Sequence, residues 1–587
     1  MTVESPTFAP PRVSVRRRDD GSMILTAVEP LADHAADLAA SLYRWSAERP
    51  AAILAAERHG DGWLPLTYGE AVRQAEAVGE ALLARGLGPD HPLVVLSGNS
   101  IDHLVLTLAG YVTGIPVVSL SAAYSAGDRD HERLRGVVRT VNAGAVFAED
   151  GRAAKTAMAL SAVADLVPHL VASEGGAAVG CEPLDRLTRT TPGARLVAAR
   201  AAVTGDSVAK ILLTSGSTGE PKAVPNTHGM LCAVQQMMRQ AWPFLAETHV
   251  TLVDWLPWSH TFGGNHNLHM VLTTGGTMYI DDGGPTPDGF ARSVRNLTGV
   301  SPNMYFNVPA GFAMLADELE RDASFALGFF ADLQLLLSAG APLPDVLRDR
   351  ILNVARRVAD HPVRFTASWG LTETSSAVTS AHMDTDDRQA IGVPLPGLLL
   401  KLAPVEGRLE MRVAGPTVMP GYLNRPDLDA AAFDEEGFYR TGDAGRLIDE
   451  DDPARGIAFD GRIAEDFKLV TGTWVRVGAL RAALLESVPG LADVVITGPG
   501  RPYAGALVWL RPGADGAAVV RALARYNEGA RSSRRIARML VLTEPACRAE
   551  GELSDKGSVN QRKVLERRAA LVDRLYREPA PEDVIGI

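Results

Sequence analysis

The most informative segment of this chain is Leu212-Leu-Thr-Ser-Gly-Ser-Thr-Gly-Glu-Pro-Lys222. An apolar strand runs into a loop of glycines and hydroxylated residues that ends in a lysine. Glycines let successive backbone amides point at one anion, the hydroxyl groups add donors, and Lys222 adds a mobile charge. The loop therefore predicts a polyphosphate site. It is not a Walker A loop, because Lys222 follows a proline and no Ser or Thr comes after it.

On both sides of this loop, short apolar segments alternate with helical patterns, among them a helix over 101–113 and helices that begin at Gly229 and Pro344. The segments are PLVVLSGNS (92–100), VVSL (117–120), THVTLVDWL (248–256), GGTMYI (275–280), LQLLLSAG (333–340) and VRFTASWG (363–370). Strands without polar alternation are buried on both faces, which is typical of parallel sheets covered by helices. We therefore predict an α/β fold with two helix-covered, mainly parallel sheets.

The pattern changes near Leu398, where two alternating strands flank a tight turn, and this predicts a small antiparallel β-barrel or sheet. Further on come a hairpin, a helix near 478–487, strands at 491–498 and 503–510, a helix from Ala517 and a last strand, ARMLVLTE. We expect an N-terminal domain over 1–461, with α/β subdomains at about 30–395 and the β-barrel at about 396–461. A smaller, mobile α+β domain follows over 462–587. The segment 174–206 is interpreted as a surface excursion or an interdomain connection.

Composition excludes several classes of protein. The 587 residues are 46% hydrophobic and 22% charged, which is typical of a folded protein, and the net charge of −12 argues against a general nucleic-acid binder. The three cysteines lack the short spacing of a disulfide framework or a metal cluster. The uncharged run from Leu104 to Ala126 is long enough to span a bilayer, but glycines and Pro116 divide it into a helix and a strand. We therefore expect no membrane span, no secretory signal and a cytoplasmic location.

The chain resembles the adenylate-forming superfamily, which includes acyl-CoA synthetases, peptide-synthetase adenylation domains and beetle luciferases. The matching motifs follow the family's order from about residue 40 to 570: TSGSTGEPK (214–222), LSAGAP (337–342), SWGLTET (368–374), YRTGD (439–443) and GR (461–462). The strings LSGNS (96–100), NTHGMLC (226–232), GRIAEDFKLVTGTWV (461–475) and DKGSVNQR (555–562) are most similar to bacterial feruloyl-CoA synthetases, which activate hydroxycinnamic acids.

The resemblance implies an ATP-dependent carboxylate–CoA ligase that acts through an acyl-adenylate on a hydroxycinnamic or other aryl acid such as ferulate. Its products would be acyl-CoA, AMP and pyrophosphate, with ATP, coenzyme A and the carboxylic acid as substrates and Mg²⁺ as cofactor. Two alternatives stay open: an enzyme that loads an aryl or fatty acid onto a carrier protein, and a non-catalytic protein that binds a nucleotide or an acyl-adenylate. A homodimer is also left open.

The resemblance also assigns nucleotide-binding residues. They are Thr214, Ser215, Gly216, Ser217, Thr218, Gly219 and Lys222 in the loop, Gly340, Ala341 and Pro342 at the adenine site, Trp369, Gly370 and Thr372 in the aromatic motif, and Asp443 and Arg462 at the ribose. Thr218 and Lys222 would hold the β- and γ-phosphates, and Glu373 would hold Mg²⁺. Asp443 has two acceptor oxygens for the two ribose hydroxyls. The ring of Trp369 would stack on adenine or form a wall of the acyl pocket.

For the acyl group, the candidates are Trp258, His260, Met304 and Ser338, within pocket walls at 258–264, 303–307 and 338–340. His260 stands where the superfamily has an aromatic residue or His beside the substrate carboxylate. A metal site built from His260, His266 and His269 is disfavoured, because these histidines have no acidic or cysteine partner nearby in the sequence.

The C-terminal region supplies the catalytic lysine by resemblance. We assign it to Lys556, with Lys563 as the second choice, although relatives often read Pro-Lys-Thr-x-x-Gly-Lys where this chain has Gly-Glu-Leu-Ser-Asp-Lys556. The hinge also departs from the family, since Ala464 stands where relatives have Asp or Lys. An arginine cluster is interpreted as a solvated helix face, with contact to the CoA 3′-phosphate as the alternative; its members are Arg531, Arg534, Arg535 and Arg538.

Overall fold

The structure, a computed structural model, describes residues 6–121, 124, 131–150, 153–174, 180–215, 221–383, 387, 389–547, 550–553 and 559–587. The strands, in chain order, are β1 Val13–Arg17, β2 Met23–Ala27, β3 Ile53–His59, β4 Gly62–Thr67, β5 Leu93–Leu96, β6 Val117–Leu120, β7 Ala145–Asp150, β8 His169–Glu174, β9 Glu182–Pro183, β10 Val208–Ser215, β11 Pro221–Thr227, β12 Thr251–Asp254, β13 Thr277–Ile280, β14 Met304–Asn307, β15 Leu335–Ser338, β16 Arg364–Trp369, β17 Thr379–Ser380, β18 Ala390–Pro394, β19 Leu399–Val405, β20 Arg408–Ala414, β21 Tyr439–Leu447, β22 Ile457–Arg462, β23 Phe467–Lys468, β24 Trp474–Val475, β25 Leu491–Thr497, β26 Ala504–Leu510, β27 Ile536–Val541 and β28 Val584–Gly586.

The α-helices are α1 Leu38–Glu48, α2 Tyr68–Ala84, α3 Ile101–Thr113, α4 Glu132–Val141, α5 Ala154–Val163, α6 Leu184–Thr188, α7 Ala194–Ala202, α8 His228–Ala241, α9 Leu268–Thr274, α10 Pro287–Gly299, α11 Pro309–Arg321, α12 Ala323–Phe330, α13 Asp345–Val358, α14 Pro426–Ala432, α15 Val477–Ser487, α16 Gly516–Glu528, α17 Gln561–Arg567 and α18 Ala569–Leu575. A π-helix spans Phe262–Asn267, and short 3₁₀ turns lie at Pro243–Ala246, Thr372–Thr374, Pro453–Arg455, Ile463–Glu465 and Ser532–Arg534.

A seven-stranded sheet carries the Gly-rich loop, in the order β11-β10-β6-β5-β7-β8-β9. All its pairs are parallel except β10 with β11. Every residue of β5 and β6 is buried, as their unbroken apolar sequence predicts. The predicted helix over 101–113 is confirmed as α3: Ser100 caps its start by accepting a hydrogen bond from the His103 amide at 3.1 Å, and Gly114 ends it with φ 72°.

No helix among the described residues is both long and apolar enough to cross a membrane.

The second parallel region is divided between two sheets. Four strands form the sheet β12-β13-β3-β4, and β14, β15 and β16 pair in parallel at one end of an eleven-stranded sheet. That sheet continues through antiparallel strands in the order β16-β17-β18-β22-β21-β20-β19-β2-β1. The α/β class with an antiparallel portion is thus confirmed. The sequence did not predict that the N-terminal hairpin, β1–β2, completes the antiparallel strands by pairing with β19.

The C-terminal elements form a smaller α+β domain with its own core. The predicted hairpin is β23–β24, and the sheet order β25-β26-β27-β28 includes the three predicted strands. Its two hydrophobic clusters consist of residues from Phe467 onward and pack the strands against helices such as α15 and α16. The boundary between 1–461 and 462–587 stays a prediction.

The interpretation of segment 174–206 as an interdomain connection is wrong for its described residues. It contains α6 and α7, whose residues Leu184, Leu187 and Leu196 join the main core of the large domain. Glu80 of α2 fixes the start of α7, because its carboxylate accepts from the Gly193 and Leu196 amides at 3.1 and 2.9 Å. In this Ala- and Arg-rich segment, the few leucines make the contacts with the core.

Candidate functional site

The Gly-rich loop connects β10 to β11, which pair so that Thr214 lies opposite Lys222. Because β10 and β11 are antiparallel neighbours, the two ends of the loop lie side by side at the same end of this strand pair. Residues 216–220, which include the predicted Gly216, Ser217, Thr218 and Gly219, lie outside the described residues, as does the side chain of Ser215.

A cluster around Tyr422 joins the lysine of the loop to the predicted metal ligand. The Lys222 ammonium lies 4.8 Å from the centroid of the Tyr422 ring, a cation–π contact. The Tyr422 hydroxyl donates to Glu373 Oε1 at 3.1 Å and is 3.1 Å from the hydroxyl of Tyr439. Burial, followed by the nearby Glu373 carboxylate, raises the pKa of both tyrosines, so both stay neutral. No local pattern in the sequence marks Tyr422.

The backbone around Glu373 is tightly constrained. Gly370 is required there, because a Cβ at this position would lie 1.6 Å from the carbonyl oxygen of Ser376. Ser375 and Ser376 have φ values of 62° and 157°, in the region that favours glycine. Non-glycine residues held in this region cluster at functional sites. The Glu373 carbonyl is in turn bound by the Met419 amide at 2.8 Å.

Asp443, the predicted ribose ligand, is buried and oriented by the predicted aromatic residue. Trp369 Nε1 donates to Asp443 Oδ2 at 2.9 Å. Within the described part of the chain, Oδ1 has no hydrogen-bond partner, although Arg462 Nε lies 3.4 Å away. Burial raises the pKa of Asp443, and Arg462 opposes that shift. The sequence did not predict that the Trp369 indole would hold this carboxylate. Stacking on adenine and forming a wall of the acyl pocket, the two roles assigned to the ring, stay predictions.

The residues predicted for the adenine site lie where parallel strands end. β15 ends at Ser338, Gly340 follows with φ 86°, and Gly340 and Pro342 are exposed while Ala341 is half-buried. Ligands of α/β sheets bind outside the carboxyl ends of such strands. Met304 is not at this edge: it pairs with Leu335, three positions and about 10 Å before Ser338.

The predicted acyl-pocket residues Trp258 and His260 precede the π-helix Phe262–Asn267. Trp258 is buried and His260 half-buried, and the His260 amide donates to the Pro257 carbonyl at 3.0 Å. The π-helix is a rare element that occurs often at functional sites. Lys210 on β10 is fully buried, and the sequence analysis did not single it out. It donates to the Trp258 and Gly264 carbonyls at 3.3 Å each, which connects this loop to β10. Burial lowers the pKa of Lys210 to about 7.

Among the described residues, no group of three or more His, Cys, Asp or Glu side chains could hold a metal ion. The arrangement of His260, His266 and His269 therefore supplies no such cluster.

The predicted hinge lies beside a cleft of about 590 Å³, and Ala464 is one of its lining residues. Asp466, just beyond it, links the two domains. Its buried carboxylate lies 2.6 Å from Arg408 Nη1 on β20 and accepts from Arg476 Nη1 at 3.2 Å and from the Val477 amide at 2.9 Å. The sequence did not identify Asp466, because Arg408, its partner in the large domain, comes from a distant segment.

Lys556 lies outside the described residues, but the base of its loop is described. Leu553 and Val559 pair in an isolated antiparallel bridge. The fully buried Glu552 accepts from Arg568 at 2.8 and 2.9 Å and from the Cys547 amide at 2.8 Å. The Arg568 guanidinium is the main reason that the pKa of Glu552 falls to about 2. The described backbone on both sides of residues 554–558 is therefore held in place.

The other basic residues considered in this domain either lie on the surface or bind backbone carbonyls. Lys563 lies on α17 and pairs with Glu566 at 2.8 Å. Arg531, Arg534 and Arg535 are exposed, but not on the expected helix: they occupy and flank a 3₁₀ turn. Arg538 lies in β27 and binds the carbonyls of Leu575 and Arg577 at 3.2 and 3.0 Å. The helix-face interpretation of this arginine cluster is therefore wrong.

Glu552→Gln is expected to destabilise the protein by about 3 kcal/mol at pH 7, because it leaves the Arg568 charge buried without its partner. The folded-state pKa lies below the ordinary 4.5, so this stabilisation is complete above about pH 4.5 and is lost as the pH falls toward 2. Urea unfolding of the full chain at pH 7 and pH 3 measures the difference. Glu566→Gln is the control, since its exposed pair is worth less than about 1 kcal/mol; an equal loss in both variants would contradict the prediction.

Comparison with known proteins identifies the family. The profile described as "AMP-binding enzyme" matches residues 42–423, and the profile of the AMP-binding enzyme C-terminal domain matches residues 466–580. The chain belongs to the AMP-binding enzyme family. The motifs that predicted it include Lys222, Glu373 and Asp443, which the structure brings to one region.

The relatives of this AMP-binding enzyme differ in their reactions. A malonate–CoA ligase of Arabidopsis thaliana is 27% identical over 50% of this chain and 48% of its own length. A probable non-canonical nonribosomal peptide synthetase of Salinispora arenicola is 27% identical over 77% of this chain and 5% of its own length. The chain thus spans half or less of these two curated relatives. The crystal structure of an anthranilate CoA ligase in complex with anthranoyl-AMP superposes with a TM-score of 0.74 at 19% identity, over 93% of this chain and 99% of the other, and shows the common fold.

Proposed function

We propose that the protein is an ATP-dependent carboxylate–CoA ligase that forms an acyl-adenylate from a hydroxycinnamic or other aryl acid such as ferulate. The observation that carries this proposal is the convergence of Lys222, Glu373 and Asp443, which belong to three separate segments of the chain. Lys222 and Glu373 meet through Tyr422, and Asp443 binds Trp369, four residues before Glu373. A cation, a buried carboxylate and a ribose acceptor together suit a nucleoside triphosphate.

The nucleotide would bind with its ribose at Asp443 and its phosphates toward Lys222. Asp443 Oδ1 is the oxygen left for a ribose hydroxyl, while Trp369 keeps Oδ2 in place. The donor chemistry at Glu373 fits Mg²⁺, which prefers carboxylate oxygens and phosphates. Bound there, Mg²⁺ would offset the charge of the departing pyrophosphate. Thr218 and the rest of the loop would add hydroxyl and amide donors to the β- and γ-phosphates.

Lys556 would complete the first half-reaction. The acid's carboxylate oxygen attacks the α-phosphorus, pyrophosphate leaves, and the acyl-adenylate forms between two groups that repel each other. An ammonium group placed between carboxylate and α-phosphate reduces that repulsion as the bond forms. The thiolate of coenzyme A then attacks the acyl carbon, and AMP leaves with the oxygen that came from the acid.

An aryl substrate is supported by the side chains near His260. Phe262 and Phe306 lie in the predicted pocket walls and, with Trp242, surround the His266 ring at centroid distances of 5.5 to 6.4 Å. The strings shared with feruloyl-CoA synthetases support the narrower choice of a hydroxycinnamate. Loading of a carrier protein is the second candidate, because the relatives include a peptide synthetase.

ATP–pyrophosphate exchange with a panel of acids tests the proposal, followed by thioester formation with coenzyme A or with a phosphopantetheinylated carrier protein. We expect exchange with ferulate, p-coumarate and caffeate to exceed that with palmitate and acetate, and coenzyme A to be the acceptor. The reverse order of acids would remove the hydroxycinnamate assignment alone. Transfer only to the carrier would favour the second candidate, and nucleotide binding without exchange would indicate a non-catalytic binder.

Asp443→Ala is expected to raise KM for ATP by about 10- to 100-fold, because it removes a charged hydrogen bond to the ribose. KM for the acid should change little. Steady-state kinetics at varied ATP measures both. Asp493→Ala is a control, since Asp493 is not a motif residue and pairs with Arg481 in the small domain at 2.6 Å. An unchanged KM for ATP in Asp443→Ala would place the ribose elsewhere.

Glu373→Gln keeps the shape of the side chain and removes its charge, so the Mg²⁺ concentration for half-maximal activity should rise about tenfold or more. The amide oxygen can still accept from Tyr422, and the fold should be retained. Activity titrated against Mg²⁺ at saturating ATP measures the shift, with Glu410→Gln as a comparison carboxylate on β20. Wild-type Mg²⁺ dependence in Glu373→Gln would contradict its assignment as the metal ligand.

A further inference from the structure

We propose that His266 determines acyl specificity, its Nε2 atom accepting a hydrogen bond from a hydroxyl group on the aromatic ring of the acid. This inference rests on the proposed function. It adds a residue that the sequence considered only as a disfavoured metal ligand, and it states which property of the acid that residue recognises.

The His266 ring lies among the aromatic side chains of the predicted pocket walls. It is 2% exposed, in the π-helix that follows His260. Its centroid is 5.7 Å from that of Phe262 and 5.5 Å from that of Phe306, in edge-on arrangements. Phe306 pairs in register with Leu337, next to the predicted pocket residue Ser338. The imidazole is thus a polar group in an apolar, aromatic environment, in contact with two predicted walls.

A buried relay fixes which imidazole nitrogen carries the proton. Asp254 is fully enclosed; its Oδ1 accepts from the Leu256 amide at 3.0 Å and its Oδ2 from Asn267 Nδ2 at 2.8 Å. This bond orients the Asn267 amide so that its Oδ1 is left to accept, and that oxygen is 2.9 Å from His266 Nδ1. The proton of the neutral ring is therefore on Nδ1, and Nε2 presents a lone pair. Burial keeps the ring neutral at pH 7 by lowering the pKa of His266 to about 4.

Nε2 is left without a partner. Its atom is buried, and nothing in the described part of the chain donates a hydrogen bond to it. Buried polar atoms are rarely left unpaired, and each one that is asks for an explanation. Trp242, whose ring centroid lies 6.4 Å from that of His266, already donates through Nε1 to Ser380 Oγ at 3.0 Å. A hydroxyl on the ring of the substrate would supply the missing donor, whereas an unsubstituted ring would leave Nε2 unpaired.

A lone pair among aromatic rings selects a neutral donor. A second carboxylate on the substrate would face the lone pair with its own negative charge and would be repelled. A site that hydrogen-bonds a substrate hydroxyl rejects the analogue that lacks it far more strongly than a hydrophobic pocket rejects a missing methylene. The expected substrate class is therefore a hydroxylated aryl acid.

The test compares kcat/KM in ATP–pyrophosphate exchange for 4-hydroxycinnamate, 3-hydroxycinnamate and cinnamate. The wild type should favour at least one hydroxycinnamate over cinnamate by about tenfold or more. His266→Phe keeps the ring in the aromatic cluster and removes the acceptor, so it should abolish that preference while cinnamate is used at the wild-type rate or faster. His266→Gln, which retains an acceptor, should keep part of the preference. His361→Phe, a histidine outside the predicted walls whose Nε2 lies 2.9 Å from the Leu333 carbonyl, should leave the preference unchanged.

Several outcomes would overturn the inference. Equal use of all three acids by the wild type would overturn it, and so would an equal loss of activity on all three acids in His266→Phe. Neither result would affect the proposed function. Exchange with no acid at all would remove the proposed function, and this inference with it. If His266→Phe fails to fold, wild-type protein labelled with nitrogen-15 in its imidazoles decides: 4-hydroxycinnamate or 3-hydroxycinnamate, but not cinnamate, should shift one Nε2 resonance, and no shift with either hydroxycinnamate would contradict the proposal.

Discussion

Lys556→Ala is expected to abolish adenylate formation and yet to convert supplied acyl-adenylate and coenzyme A into thioester at close to the wild-type rate. In the proposed mechanism its ammonium lies between the attacking carboxylate and the α-phosphate, and the loss of one such preorganised charge typically costs about 10²- to 10³-fold or more in rate. Arg568 holds Glu552, and Leu553 pairs with Val559 in a β-bridge. These contacts hold the described backbone on both sides of the segment that contains Lys556. ATP–pyrophosphate exchange and thioester formation, measured separately, give the two rates.

Lys563→Ala is the matched control, because Lys563 lies on α17 of the same domain and pairs with Glu566 at 2.8 Å. Neither half-reaction should change in it appreciably. The converse pattern would move the catalytic role to Lys563. Loss of thioester formation in Lys556→Ala would contradict a mechanism in which the two half-reactions use different faces of the C-terminal domain.

Ala464→Pro is expected to preserve pyrophosphate exchange and to collapse CoA ester formation. In the superfamily that the chain resembles, the C-terminal domain rotates between half-reactions, and we place the pivot at residues 462–465. Proline fixes φ at its own position and restricts Ile463 before it. The effect should be large because Asp466, directly after this segment, binds Arg408 on one side and Arg476 on the other, so a change of backbone angle here moves one domain against the other.

Ala464→Ser is the control for this variant, since it alters the side chain without restricting φ, and both half-reactions should survive. Equal loss of the two half-reactions in Ala464→Pro would mean that the variant misfolds or that the pivot lies elsewhere. Retention of both would show that no rotation about this residue is needed.

Much of the fold was readable from local sequence because its strands are unbroken apolar runs between breakers. Val117–Leu120 and Leu335–Ser338 appear as predicted, and the helix over 101–113 has its N-cap serine and C-terminal glycine in the sequence. The motif residues could also be singled out from the sequence, because small and charged residues follow apolar strands there; their roles stay predictions.

What the sequence did not predict depends on contacts between distant segments. Tyr422 links Lys222 to Glu373, and Asp466 links Arg408 to Arg476, but neither residue has a local pattern that marks it. The N-terminal hairpin was missed because its partner, β19, lies far along the chain. Register places Met304 at the opposite end of β14 from Asn307, and its role in the acyl pocket stays a prediction.

The most direct test of the acyl-adenylate mechanism follows oxygen from the acid to the nucleotide. Ferulate labelled with oxygen-18 in its carboxylate is incubated with the enzyme, ATP, Mg²⁺ and coenzyme A, and the phosphate-containing products are examined by mass spectrometry. If the carboxylate attacks the α-phosphorus and coenzyme A then displaces AMP, one labelled oxygen must appear in AMP, with unlabelled pyrophosphate as the other product. Label in inorganic phosphate with ADP as the nucleotide product, or unlabelled AMP, would contradict the account.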